Sequence, residues 1–191
     1  MYFFFDTETT GLPLSWNAPV TDLNNWPRMI QVGYIIYDND GNHIETKEYI
    51  IRPNGFTIPK ESSNIHGITT ERALQEGVEL SIVLKELYEK ITASNILVAH
   101  NMSFDEKILG AEFLRFQIPN IVESKGKICT MKSSVNYCAI INQYGKFKWP
   151  KLEELHKKLF NRGFDNAHNA LADIQATADC FWKLKELKVI R

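Results

Sequence analysis

The sequence is poor in cysteine and has no long apolar run. Cys129, Cys138 and Cys180 are odd in number and lack metal-ligand spacing, which disfavours a disulfide framework and predicts free thiols in a reducing compartment. No apolar stretch approaches the ~20 residues that cross a membrane, and no charged leader precedes the first apolar run. We therefore expect a cytoplasmic protein without a membrane span.

The sequence also lacks a net charge of one sign, since the formal net charge is −1 over 191 residues. Charge is nevertheless uneven, because residues 123–162 hold nine lysines and arginines against three acids, whereas residues 1–122 hold nine against sixteen. Solvated helix faces can produce this pattern, and so can a metal site beside a phosphate-binding surface. Ordinary composition without repeats or interdomain linkers predicts a single domain over residues 1–191.

Two acids follow directly on the apolar run Phe3–Phe5. Strand side chains alternate between faces, so Asp6 and Glu8 are predicted to point the same way. Desolvation and mutual repulsion both oppose such a pair at the end of a buried strand, and a cation would compensate for them. Oxygen-only ligands suit Mg²⁺ or Mn²⁺. From this stretch alone, solvated acids at a strand end remain an equal alternative.

The rest of the chain predicts an α/β fold in which an antiparallel hairpin precedes alternating helices and strands, giving a mixed sheet covered by helices. The predicted strands are 3–5, 29–37, 44–52, 96–100 and 128–129. The predicted helices cover 80–91, a helix that begins after Ser103, the segment from 130 to about 144, 152–159 and 171–184. Residues 57–70 show little periodicity. Residues 13–27 form a long polar loop, in which tryptophan either packs down or stacks on a base.

Two further acids lie near the starts of predicted helices. Ser103 and Glu106 match a capping box, which places Asp105 in a first turn, where an acid complements the helix dipole and needs no chemistry. Asp173 lies on an otherwise apolar, alanine-rich face, which is difficult to explain structurally. His168 precedes this helix, and a lone histidine there is usually a capping or surface residue.

Three motifs follow one another along the chain: Asp6-Thr7-Glu8, His100-Asn101-x-x-Phe104-Asp105 and His168-x4-Asp173. Taken in order, they resemble the motifs of the histidine branch of the DEDD exonuclease superfamily, which includes the proofreading subunit of bacterial replicative polymerases. Residues 9–11, 30–33 and 65–69 also look like that family, so the resemblance covers essentially the whole chain. The resemblance implies a ribonuclease-H-like fold, with a mixed five-stranded sheet covered by helices on both faces. It also implies that the protein is a 3′–5′ exonuclease that releases nucleoside 5′-monophosphates.

The resemblance also implies roles for the charged residues. Asp6 bridges two Mg²⁺ or Mn²⁺ ions about 3.5–4 Å apart, and Glu8 and Asp173 complete the site of the ion that holds the attacking water. Asp105 serves the second ion, partly through water. His168 is the expected general base, kept neutral by nearby metal charge and a helix N-terminus.

The terminal nucleotide is expected to contact the first two motifs and the segment around His66. Backbone N–H groups near Thr7 and Thr9 could hold the sugar, and Leu12 or Phe104 could stack on the bases, although core packing is the slightly preferred reading of Phe104. The residues expected at this subsite are Thr7, Thr9, Leu12, His66, Asn101 and Phe104. A structural role of His66 in a turn is an equal alternative to contact with the nucleotide.

Four functions compete as interpretations of these residues. A metal-dependent exonuclease on single-stranded DNA is preferred, an exoribonuclease is its nearest rival, and no residue decides between the two sugars. A silent nucleic-acid-binding module has no need of all four acids, and a metal-binding regulator has no need of the basic segment. Because no tail follows the final predicted helix, we expect a stand-alone exonuclease rather than a polymerase subunit. The long 13–27 loop departs from the family pattern at the cleft rim.

Overall fold

The computed structural model describes residues 1–164 and 170–190. The strands are β1 (Tyr2–Thr9), β2 (Met29–Tyr37), β3 (His43–Ile50), β4 (Ile96–Ala99) and β5 (Gly126–Cys129). The α-helices are α1 (Lys60–His66), α2 (Thr70–Glu76), α3 (Leu80–Ala93), α4 (Met102–Arg115), α5 (Thr130–Ser133), α6 (Val135–Cys138), α7 (Leu152–Phe160) and α8 (Ala170–Glu186), and Ile121–Ser124 form a 3₁₀ helix. Within the described ranges, every helix is too short or too polar to cross a membrane.

The sheet has the strand order β3-β2-β1-β4-β5. The first three strands are antiparallel neighbours, whereas β4 pairs in parallel with both β1 and β5. This arrangement confirms the predicted mixed five-stranded sheet with an antiparallel meander followed by parallel strands. It places β1, which carries Asp6 and Glu8, at the centre of the sheet.

Helices cover both faces of the sheet, as predicted. Phe3 and Phe5 pack in one buried cluster with apolar residues of α3 and α4, whereas Phe4 packs in a second cluster with residues of α7 and α8. The alternation of side chains along β1 therefore turns Asp6 and Glu8 toward the α8 face. It turns Thr7 toward α4.

Several boundaries differ from the predictions. The third strand ends at Ile50, and Ile51 makes a single bridge to Val78 instead of extending it. Residues 57–70 contain α1 and the start of α2, although their sequence shows little hydrophobic periodicity. Each of these helices has only 7 residues, which is too short for a clear helical period. Gly67 ends α1 at φ 73, a left-handed conformation that favours glycine.

Three local predictions were wrong. Helical structure after β5 ends at Cys138 rather than near Tyr144, because Ala139 adopts φ 50 and the chain then turns. Ser103 is not an N-cap, since Asn101 at φ 71 and ψ 43 starts α4 and the Ser103 hydroxyl donates to Asn101 Oδ1. Leu171, whose spacing with Ile174 and Ala178 predicts the apolar face of the last helix, is exposed on α8 rather than packed in the core.

Candidate active site

A cavity of about 490 Å³ opens at the end of β1, between the start of α4, the segment entering α7 and the first turn of α8. Its lining contains all four acids that the sequence analysis selected. The lining residues are Asp6, Thr7, Glu8, Leu12, Trp16, His100, Asn101, Phe104, Asp105, Lys151, Leu152, Glu153, Phe164 and Asp173. Residues far apart in the sequence thus meet in one concave site, the usual form of a ligand-binding site.

Three of the acids form a compact group. Asp6, Glu8 and Asp173 each offer a carboxylate oxygen, and these oxygens lie within 4.8 Å of one another. Strand β1 supplies the first two and α8 the third. Gly33, the β2 partner of Asp6, lies against α8: a Cβ there would be 2.4 Å from Ile174 Cδ1, so the end of that side chain would have to shift.

Asp105 reaches the cavity from α4, on the other face of the sheet. It is 2% exposed, and its Oδ1 accepts hydrogen bonds from the Thr7 N–H at 3.1 Å and the Thr7 hydroxyl at 2.8 Å. These bonds fix the Asp105 carboxylate beside β1. Thr7 therefore orients an acid, a role that sequence reasoning did not assign to its side chain.

Asp105 is buried, the three clustered acids are half-buried, and the charges at the site repel one another. Burial and the charges of Asp105, Glu8 and Asp173 hold the pKa of Asp6 well above its usual range. Burial, Asp173 and Asp105 raise the pKa of Glu8 to about 8. Burial raises the pKa of Asp105 to about 7, although the Thr7 hydrogen bonds oppose that shift.

This donor set fits hard divalent cations. The clustered ligands are carboxylate oxygens, which Mg²⁺ and Mn²⁺ prefer, and their raised pKa values indicate that negative charge here needs compensation. A bound cation would favour the ionised carboxylates. The geometry thus supports the predicted metal role of the three clustered acids, with Asp105 nearby and separately held.

His100 ties two walls of the cavity together. Its Nδ1 lies 2.9 Å from Thr130 Oγ1 and its Nε2 lies 3.1 Å from the Pro150 carbonyl oxygen. Burial lowers the pKa of His100 to about 4, so the ring is neutral near pH 7. The Nε2–H then donates to Pro150, and Nδ1 accepts from the Thr130 hydroxyl. The sequence motif contains His100, but only the fold reveals this positioning role.

The cavity also contains four of the predicted nucleotide contacts, Thr7, Leu12, Asn101 and Phe104. Phe104 is half-buried and packs partly against the core, in agreement with the core-packing alternative, but it also faces the cavity. Its ring lies 5.7 Å from that of Trp16. The lining residues that were not predicted include Lys151 before α7, Leu152 and Glu153 in its first turn, and Phe164 after it. The basic segment 123–162 was the only sequence signal for the first three.

Two predicted contacts lie elsewhere. The Thr9 hydroxyl donates to the Gly11 carbonyl at 2.6 Å and shapes the turn after β1. His66 ends α1, and its Nδ1 accepts the Ile68 N–H at 3.1 Å, in agreement with the structural-turn alternative. Neither residue lines the cavity, and their contacts with a nucleotide stay predictions. His168, the predicted general base, lies outside the described residues.

Known families and curated proteins match nearly the whole chain. Residues 3–181 match the family model RNase_T, described as an exonuclease. A PolC-type DNA polymerase III of Listeria innocua is 28% identical over 183 residues, covering 96% of this chain and 11% of that protein. The Streptococcus pyogenes counterpart is 31% identical over 176 residues, covering 92% of this chain and 10% of that protein. The chain spans about a tenth of the length of these relatives.

Solved structures of Exonuclease I have the same fold. The Escherichia coli enzyme in complex with a dA16 oligonucleotide gives a TM-score of 0.77 at 20% identity, covering 98% of this chain and 41% of that chain. A zinc-bound form of its single-stranded DNA complex gives a TM-score of 0.76 at 21% identity, covering 98% of this chain and 40% of that chain. The Methylocaldum szegediense enzyme gives a TM-score of 0.77 at 21% identity, covering 97% of this chain and 40% of that chain. The similarity confirms the predicted ribonuclease-H-like architecture.

Proposed function

We propose, from the premise that this chain belongs to the RNase_T exonuclease family within the DEDD superfamily, that it hydrolyses single-stranded DNA from the 3′ end and releases nucleoside 5′-monophosphates. The observation that carries this proposal is that the carboxylates of Asp6, Glu8 and Asp173 lie together in the lining of the cavity. Family membership makes the protein an exonuclease and a nucleic-acid-binding hydrolase. The polarity, the sugar and the residue roles are the proposal.

The acids would hold the divalent cations that are typical of the family. Asp6, Glu8 and Asp173 would bind one Mg²⁺ or Mn²⁺, and Asp6 and Asp105 a second. The ions would lower the pKa of a water nucleophile and stabilise the charge that develops on the phosphoryl oxygens. The hydrogen bonds of Thr7 hold Asp105 in place for this binding.

The reaction is an in-line displacement at the last phosphodiester bond. The water oxygen bonds to phosphorus, the 3′-oxygen of the preceding nucleotide leaves with the bonding electron pair, and the freed nucleotide keeps its 5′-phosphate. His168 is the proposed acceptor of the water proton, a role that rests on the resemblance of the third motif. Four clustered acids alone would repel the substrate phosphates, and Lys151 in the cavity lining opposes that repulsion.

The walls of the cavity would orient the terminal nucleotides. Leu12 and Phe104 offer apolar surface to the bases, which suits an enzyme that accepts any terminal base, because stacking tolerates sequence. Asn101 offers an amide to a phosphate or sugar oxygen. The oligodeoxynucleotides in the Exonuclease I complexes favour DNA as the substrate.

The setting of the activity is also part of the proposal. Three free cysteines agree with a reducing compartment, so we place the enzyme in the cytoplasm. The polymerase relatives raise association with a polymerase as an alternative to independent action. We treat residues 1–191 as a single exonuclease domain.

Matched 5′-labelled DNA and RNA oligonucleotides, single- and double-stranded, test the proposal in Mg²⁺, Mn²⁺ or EDTA. We expect stepwise shortening of single-stranded DNA from the 3′ end with either metal and none in EDTA. His168→Ala should keep metal and DNA binding but lose most turnover. Shortening of RNA alone would replace DNA by RNA as the substrate, and no shortening of any strand would refute the activity.

A further inference from the structure

A second cavity of about 540 Å³ adjoins the active-site cavity. Its lining residues are Trp16, Asn17, Asn101, Ser103, Met131 and Trp149. Trp16 and Asn101 belong to both linings, so the two cavities adjoin at these side chains. A strand whose 3′ end lies at the acids could therefore continue directly into the second cavity.

Large aromatic side chains are exposed around this second cavity. Trp16 is 54% exposed and Trp149 is 64% exposed, whereas Trp26 in the same loop as Trp16 is 3% exposed and donates its indole N–H to the Pro19 carbonyl. Phe147 is also exposed. Clustered exposed aromatics usually mark a binding surface, because leaving them in water is unfavourable.

The active site contacts the Trp16 ring and holds the backbone next to Trp149. The ring of Trp16 lies 5.7 Å from that of Phe104, which lines the active-site cavity. Trp149 directly precedes Pro150, whose carbonyl accepts the hydrogen bond from His100. A stacking surface held in this way loses little conformational entropy when a strand binds.

Lysines alternate with the aromatic residues in the segment 146–151. Lys146 and Lys151 are exposed, and Lys151 also lines the active-site cavity. Lys148, between Phe147 and Trp149, is half-buried against Glu154. Positive charge beside exposed rings complements a strand that carries both phosphates and bases, whereas an apolar peptide would gain nothing from the lysines.

We propose that Trp16 and Trp149 stack on the bases that lie upstream of the terminal nucleotides, so that the second cavity binds single-stranded DNA. This inference rests on the proposed function and extends it to a length preference. Strands that reach both tryptophans bind more tightly than a dinucleotide, which occupies only the active-site cavity. The stacking is independent of base identity, so the preference concerns length and not sequence.

Trp16→Ala and Trp149→Ala, singly and together, test the inference on a dT8 oligonucleotide and on a dinucleotide. The KM for dT8 should rise at least about 5-fold in each single variant and further in the double variant, because each lost stacking contact weakens binding. In Trp149→Ala, whose side chain lines only the second cavity, the KM for the dinucleotide should stay within about 2-fold of the unmodified protein. In Trp16→Ala, whose side chain lines both cavities, the KM for the dinucleotide should rise less than the KM for dT8. Trp16→Phe and Trp149→Phe keep an aromatic ring and should restore most of the affinity for dT8.

Phe116→Ala is the matched control, since this exposed aromatic residue follows α4 at the end opposite to Asn101. It should change neither KM. An unchanged KM for dT8 in the tryptophan variants, or an equal rise for both substrates, would overturn the inference. The anisotropy of labelled dT8 in an Asp6→Asn background reports binding without cleavage. It decides the role of the tryptophans even if the protein hydrolyses neither substrate and the proposed function fails.

Discussion

Two groups of carboxylates in this molecule have opposite electrostatic surroundings. The group between β3 and α3 contains Glu45 and Glu86, and Lys47, Lys90 and the hydroxyls of two tyrosines surround it. Lys47 and Tyr49 donate to Glu86 at 2.8 and 2.7 Å. The group at the active site consists of Asp6, Glu8, Asp105 and Asp173, and the charges within it raise the pKa values of Asp6 and Glu8.

The difference indicates which group is structural. Burial opposes ionisation of Glu86, but hydrogen bonds from Lys47, Tyr34 and Tyr49 outweigh it and lower its pKa to about 2. The protein itself thus neutralises this group. At the active site the N–H and hydroxyl of Thr7 and the backbone N–H of Asp105 donate to the Asp105 carboxylate, yet burial still raises the pKa of that carboxyl to about 7. An acidic group left in this state suits an external cation.

Asp6→Asn should give the largest effect. Loss of the carboxylate that both ions would share should lower turnover at least about 10³-fold, because metal-assisted charge stabilisation contributes several kcal/mol. The melting temperature in EDTA should stay constant or rise, since repulsion is relieved. Asp40→Asn, the same substitution in the exposed hairpin turn, should leave both quantities unchanged. Turnover above a tenth of the unmodified level in Asp6→Asn would contradict the central role of Asp6.

Glu8→Gln should weaken the pH dependence of stability in EDTA. The pKa of Glu8 is about 8 in the folded protein and 4.5 in the reference state, so the folded form binds more protons between these values. The stability of the unmodified protein therefore falls as pH rises from 4.5 through 8. The variant should melt at the same temperature near pH 4.5 and about 5 °C or more above the unmodified protein beyond pH 8.

Thermal melts of both proteins in EDTA across this pH range measure the effect. Mg²⁺ should raise the melting temperature of the unmodified protein more than that of Glu8→Gln, since binding to the folded form alone stabilises it. A difference between the two proteins that did not vary with pH would show that Glu8 is not a repelled acid.

Glu86→Gln should have the smallest effect and the opposite sign. Loss of the charged acceptor of Lys47 should lower the free energy of unfolding by about 2 kcal/mol, while turnover of the folded protein stays within about 2-fold. The folded pKa of Glu86 is about 2, so the advantage of the unmodified protein is complete above pH 4.5 and declines as pH falls toward 2.

Urea unfolding of Glu86→Gln at pH 7 and pH 3 measures this loss. Glu79→Gln is the control, because the Glu79 carboxylate is half exposed and its ion pair with Arg52 at 3.4 Å should contribute under about 1 kcal/mol. A large loss of turnover in Glu86→Gln at unchanged stability would place the β3–α3 group in the function rather than in the scaffold.

Local patterns in the sequence predicted much of the fold. The apolar run before Asp6, the hairpin turn and the helical period from Leu80 require only contacts between near neighbours, and these elements form where expected. The start of α4 was mispredicted because the Asn101 backbone adopts a left-handed conformation that no periodic pattern reports. Four-residue helices such as α5 and α6 are similarly too short for periodicity to define them.

The sequence by itself determined which acids are present and that Asp6 and Glu8 share a face of β1. Tertiary structure decided which acids are compensated, because the partners lie far along the chain. Thr7 and Asp105 are 98 residues apart, and Lys47 and Glu86 are 39 apart. It also decided that His100 holds the Pro150 carbonyl and that Trp16 lies beside Phe104. The charge and reach of a side chain are local properties, whereas its pKa and its partners depend on the elements that pack around it.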